Sequence, residues 1–129
     1  YFKVEMPDIE SFEIQNFENW LNQETEFGNY YPKSMYYYIF KDNQKLEKFS
    51  FHLNESSDWG KDKMKSANGF FPVAIEKYLA NSDYYCLVNV KTKEINNYDL
   101  EKGINHFILA CYQTNNKRLY IFEFDKEVK

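Results

Sequence analysis

The sequence predicts an α+β fold: a two-layer sandwich in which a mainly antiparallel sheet of about five strands packs against two or three helices. Three observations carry this. Two stretches place apolar residues at helical spacing, Ile14/Phe17/Trp20/Leu21 and Ile75/Tyr78/Leu79. Several β-rich stretches are joined by short polar turns, which forces antiparallel pairing. Aromatic residues make up 20% of the chain, against only 4 Gly and 3 Pro, a composition opposite to that of disordered chains. The 129 residues correspond to one domain, residues 1–129, large enough to build a core without disulfides or a structural metal.

Taken in order, Tyr1–Met6 alternates weakly and reads as a short edge strand. Pro7-Asp8 then opens a helix, with Asp8 or Ser11 as its N-cap and Ile14, Phe17, Trp20 and Leu21 on its inner face. A hairpin follows, Met35–Lys41 with Lys45–Leu53, across the odd loop Asp42-Asn43-Gln44. That register sets Tyr37 opposite Phe49 and Met35 opposite Phe51. It gives one core face of Met35, Tyr37, Ile39, Phe49, Phe51 and Leu53, and an amphipathic face of Tyr36, Tyr38, Lys48, Ser50 and His52. Asn54–Gly69 is turn-rich, with a short helix around 62–67. Pro72 starts a helix running to Ala80. Asp83–Lys91 is nearly continuous in apolar residues and reads as a buried strand. His106–Gln113 and Arg118–Asp125 form a last hairpin across Asn115-Asn116, its first strand apolar on both faces and therefore interior.

Charge and cysteine usage narrow the function classes. The net charge is −4, so the basic footprint of a nucleic-acid binder is missing, and nucleic acid is disfavoured as a partner. The same acidity leaves room for a basic protein partner. Cys86 and Cys111 sit in strand-like runs and read as reduced, buried thiols; no Cys/His spacing matches a zinc site. No apolar run reaches membrane-spanning length and no signal peptide is visible, which together predict a cytoplasmic protein that does not engage a membrane. The chain begins with Tyr1, not Met, leaving room for an upstream segment.

The densest candidate surface is the stretch Asn29–Phe40, with five tyrosines in twelve residues. Tyrosine gives a large, rigid contact area at small entropic cost, and it also covers half-buried sheet faces. Tyr30, Tyr31, Tyr36 and Tyr38 are the predicted partner contacts, with Glu55, Asp58 and Trp59 at the rim. The segment His52–Lys63 offers a second chemistry: His52, Glu55 and Asp58 are residue types that bind a metal or move protons. Against that stands a plain loop reading, with Ser56 or Asp58 capping and Trp59 anchored in the core. A restriction-type nuclease pattern is incomplete, since Asn89-Val90-Lys91 carries Asn where a carboxylate is needed and Glu127-Val128-Lys129 lies at the very end. His106 reads as a hydrogen-bonded histidine of an inner strand. The resulting expectation is a non-catalytic protein-binding module without cofactor or metal, such as an inhibitor or immunity-type protein that neutralises a toxin or nuclease. The alternatives are a metal-dependent nuclease or hydrolase built on His52–Asp58, and an assembly domain of a longer chain.

Overall fold

The computed structural model of the protein describes residues 6–15, 32–61, 73–96 and 102–128. Their elements are β1 (Ile9–Gln15), β2 (Pro32–Phe40), α1 (Gln44–Glu55), α2 (Val73–Ala80), β3 (Tyr84–Asn89), β4 (Gly103–Gln113) and β5 (Arg118–Val128). The five strands form one sheet in the order β1-β2-β5-β4-β3, with every neighbouring pair antiparallel. The α+β class and the strand count agree with expectation, and the β4–β5 hairpin, the buried strand β3 and helix α2 fall where the sequence puts them.

Two elements differ. Ile9–Gln15 is a strand rather than the start of a helix. Phe12 and Ile14 alternate with Ser11, Glu13 and Gln15, a period of two, and pair with Tyr38 and Tyr36. The helical reading leaned on Phe17, Trp20 and Leu21, which lie outside the described residues, as do Tyr1–Glu5 and the short helix expected around 62–67. Neither Asp8 nor Ser11 caps a helix there. Asp8 instead accepts a hydrogen bond from the Asn43 side chain at 3.0 Å and an ion pair from Lys45 at 3.1 Å.

The second difference is larger. Lys45–Leu53 is not the return strand of a hairpin but most of α1. The Asn43 side chain accepts from the Lys45 and Leu46 backbone N–H groups, an N-cap that satisfies two otherwise orphaned donors. Leu46, Phe49 and Leu53 then recur at i, i+3 and i+7 and are buried, while Phe51 is 61% exposed. Phe49, Phe51 and Leu53 satisfy a period of two just as well, so the apolar pattern alone does not separate strand from helix. The cap and the run of helix-favouring Gln, Lys, Leu and Glu decide it.

The sheet is apolar on both faces, and among the described residues each face meets one helix. Ile75 and Leu79 of α2 pack with Met35, Leu87, Leu109, Phe122 and their same-face neighbours. Leu46, Phe49 and Leu53 of α1, with Trp59, pack with Phe40, Cys86, Ala110, Tyr112 and Ile121. These two sets alternate along each strand, so α1 and α2 lie against opposite faces. The two described helices therefore lie on opposite faces of the sheet and not together on one. Cys86 and Cys111 belong to different faces, so both are free thiols although their strands are adjacent.

Candidate functional site

The β1–β2 end of the α1-facing surface carries the most unusual exposure. Phe12 is 47% exposed and Ile14 is 73% exposed, and both share a face with Tyr36 and Tyr38. The rings touch: Phe12 lies 5.0 Å from Tyr38 and 5.6 Å from Tyr36, and Tyr36 meets Tyr38 edge-on at 5.9 Å. Tyr38 in turn stacks on Phe40, whose ring reaches Phe49. The exposed rings are therefore the outer end of an aromatic series whose inner end is core. These contacts restrain the rings, so little side-chain entropy would be lost if this face were covered. Burial, then Tyr38 and Glu123 nearby, push the Tyr36 hydroxyl above its ordinary value, so it stays a neutral hydrogen-bonding group at physiological pH.

One row along the same face the surface turns polar. Ser34 faces Glu123 across the β2–β5 ladder, and its hydroxyl reaches one carboxylate oxygen at 3.5 Å. The other oxygen lies 2.6 Å from Nε2 of His106. The hydrogen-bonded histidine read from the sequence is thus in place. The carboxylate sits between the hydroxyl and the imidazole, so this Nε2 is occupied by Glu123 and does not activate Ser34 as a nucleophile.

The opposite face of β2 is built for structure. The Tyr37 hydroxyl donates to Glu13 of β1, its ring packs on Tyr120 at 5.2 Å, and the Arg118 guanidinium lies 5.3 Å from the ring centroid. The hydrogen bond to Glu13 raises the Tyr37 hydroxyl above the usual tyrosine value.

The remaining predicted positions divide. Tyr30 and Tyr31 lie outside the described residues. Tyr36 and Tyr38 sit together as expected but are half-buried, with Phe12 and Ile14 forming the more open part of the patch. Glu55 ends α1 and Asp58 lies in the turn after it, both exposed and both away from the tyrosines in the chain of contacts described above. Trp59 is 3% exposed and anchors that turn in the core, so it presents no ring to a partner. His52 lines a cavity of about 120 Å³ with Met6, Lys45, Lys48 and Phe49, not with Glu55 and Asp58. Among the described residues no three His, Cys, Asp or Glu side chains converge as metal ligands, which removes the geometric basis for a metal site on His52–Asp58. Among the described residues no helix is long and apolar enough to cross a membrane.

Phe12, Ile14 and Glu123 were not picked out from the sequence. The alternation Ser11-Phe12-Glu13-Ile14-Gln15 is the signal that would have found the first two. No protein-family model matches the chain, and neither a curated protein nor a solved structure matches it.

Proposed function

We propose that the protein is a non-catalytic binding module that holds another protein on the β1–β2 end of its sheet. The observation that carries this is the contiguous group Phe12, Ile14, Tyr36 and Tyr38, in which rings braced from the core side stand open on the solvent side. Exposed, pre-positioned aromatic residues next to polar groups such as Ser34, Glu123 and His106 are the composition of an interface hot spot with its rim. An inhibitor or immunity-type role, in which the module neutralises a toxin or nuclease, fits the net charge of −4 and a basic partner.

The test is affinity capture from host lysate with the intact chain and with Phe12→Ser/Ile14→Ser. These two side chains are more open than Tyr36 and Tyr38, so their loss changes the surface with little cost to the core. A stoichiometric partner held by the native chain and lost by the variant, at an unchanged melting temperature, supports the reading. Equal capture by both chains refutes it.

A further inference from the structure

We propose that the outer edge of β1 takes up an extended, alternately apolar and basic segment of the partner as a sixth strand of the sheet. This rests on the binding reading above and specifies its mode.

The first support is the phase of the backbone. Phe40 donates its N–H to Lys117 on the β5 side of β2, whereas Lys41 donates to Asp8 on the β1 side. Peptide groups alternate in direction along a strand, so Met35, Tyr37 and Ile39 aim theirs at β1. Their partners Gln15, Glu13 and Ser11 bond back. Phe12 and Ile14, lying between, aim their N–H and C=O groups outward. The residues with the exposed apolar side chains therefore also turn their ladder positions away from β2, where no described residue meets them.

The second support is the contrast with the other edge. The outer side of β3 is closed: Gly60 and Tyr85 exchange two backbone hydrogen bonds at 2.8 and 3.0 Å. Asn96 takes the Leu87 N–H on its side-chain oxygen at 2.8 Å and donates its own N–H to Leu87 at 2.7 Å. Asn89 donates to Glu94 at 2.9 Å. Among the described residues the β3 edge is blocked residue by residue and nothing pairs with the outer side of β1, which leaves the β1 edge as the one for pairing.

Charge selects the occupant. β1 carries Glu10 and Glu13 and no Lys or Arg. A second copy of β1 would gather four carboxylates along one seam. A segment with Lys or Arg at every other position would place them on the Glu13 face while its apolar residues meet Phe12 and Ile14.

The test uses the intact chain and two labelled peptides, Lys-Val-Lys-Val-Lys-Val-Lys and its Glu-Val counterpart. Binding is read by anisotropy, and amide hydrogen exchange is followed by NMR. The expected result is that only the lysine peptide binds and that it slows exchange at Phe12 and Ile14 about tenfold, the effect of one added hydrogen bond each. Ile14→Pro removes an outward donor and no β1–β2 bond, so it is expected to lose the peptide while Ile14→Ala keeps most of the affinity. Equal binding by Ile14→Pro and Ile14→Ala overturns the strand mode, as does absence of binding. Perturbed Phe12, Tyr36 and Tyr38 ring signals without slowed exchange also overturn it, while leaving the binding patch standing. Protection of the same amides by concentration alone, without peptide, would make a second copy the occupant and overturn the proposal.

Discussion

Replacing Phe49 and Phe51 separately by Ala tests whether Gln44–Glu55 is a helix and where the α1-facing core lies. Phe49 is 1% exposed and meets Phe40 at 5.4 Å and Tyr112 at 5.2 Å, both edge-to-face. Truncating a buried Phe costs about 3–5 kcal/mol, and the loss of two edge-to-face ring pairs puts Phe49→Ala in the upper half of that range. For a chain of 129 residues this lowers the melting temperature by about 15 °C. Phe51, two positions on, is 61% exposed. Phe51→Ala is expected to stay within about 0.5 kcal/mol, and to lean towards stabilisation because Ala is the better helix former. In a hairpin the two rings would share the inner face and both replacements would be costly. Urea unfolding of the two variants by circular dichroism, with the slope checked for constancy, separates the cases. Comparable losses of several kcal/mol in both variants would refute the helix and the core built on it.

Other consequences follow from the same packing. Gly60→Ala would drive a Cβ to within 2.1 Å of the Tyr85 ring, so it is expected to cost about 1–3 kcal/mol in denaturant melts and to speed amide exchange along β3; a neutral effect would contradict the close approach. Burial pushes the Cys86 and Cys111 thiols up to about 12, so neither should react with an aromatic disulfide reagent at pH 8 until the chain unfolds, and fast native-state labelling would contradict their place in the core. Hydrogen bonds from Lys45 and Asn43 hold the Asp8 carboxyl below its ordinary value of 3.8. A lowered folded-state pKa stabilises above the unfolded value and is lost as pH falls through the folded one. The stability gap between the native chain and Asp8→Asn, followed by melts across pH, should therefore be constant at neutral pH and close in strong acid; a gap independent of pH would contradict the ion pair.

The legible parts of the fold were those with one reading. Helix α2 announces itself through Ile75, Tyr78 and Leu79 at helical spacing, and the β4–β5 hairpin through two apolar runs around Asn115-Asn116. The illegible part was Gln44–Glu55, where Leu46, Phe49 and Leu53 fit the helical period while Phe49, Phe51 and Leu53 fit a period of two. There a single capping residue, Asn43, and packing against Phe40 and Tyr112 from distant strands choose the helix. The site was half legible for the same reason. Tyr36 and Tyr38 drew attention by composition, but the residues that complete their surface come from β1, seven residues whose pairing with β2 spans a separation of twenty or more positions. Trp59 has two readings in the sequence, rim contact or core anchor, and its burial in the fold selects the anchor.

The proposed binding module would hold its partner on the β1–β2 end of the sheet. The most direct measurement is the footprint of the captured partner on the isotope-labelled chain, by NMR. The expected footprint is centred on the rings of Phe12, Tyr36 and Tyr38 and on the Phe12 and Ile14 amides, with the exposed side of α1 unaffected. A footprint centred instead on Lys45, Lys48 and His52 of α1, with β1 unchanged, would contradict it.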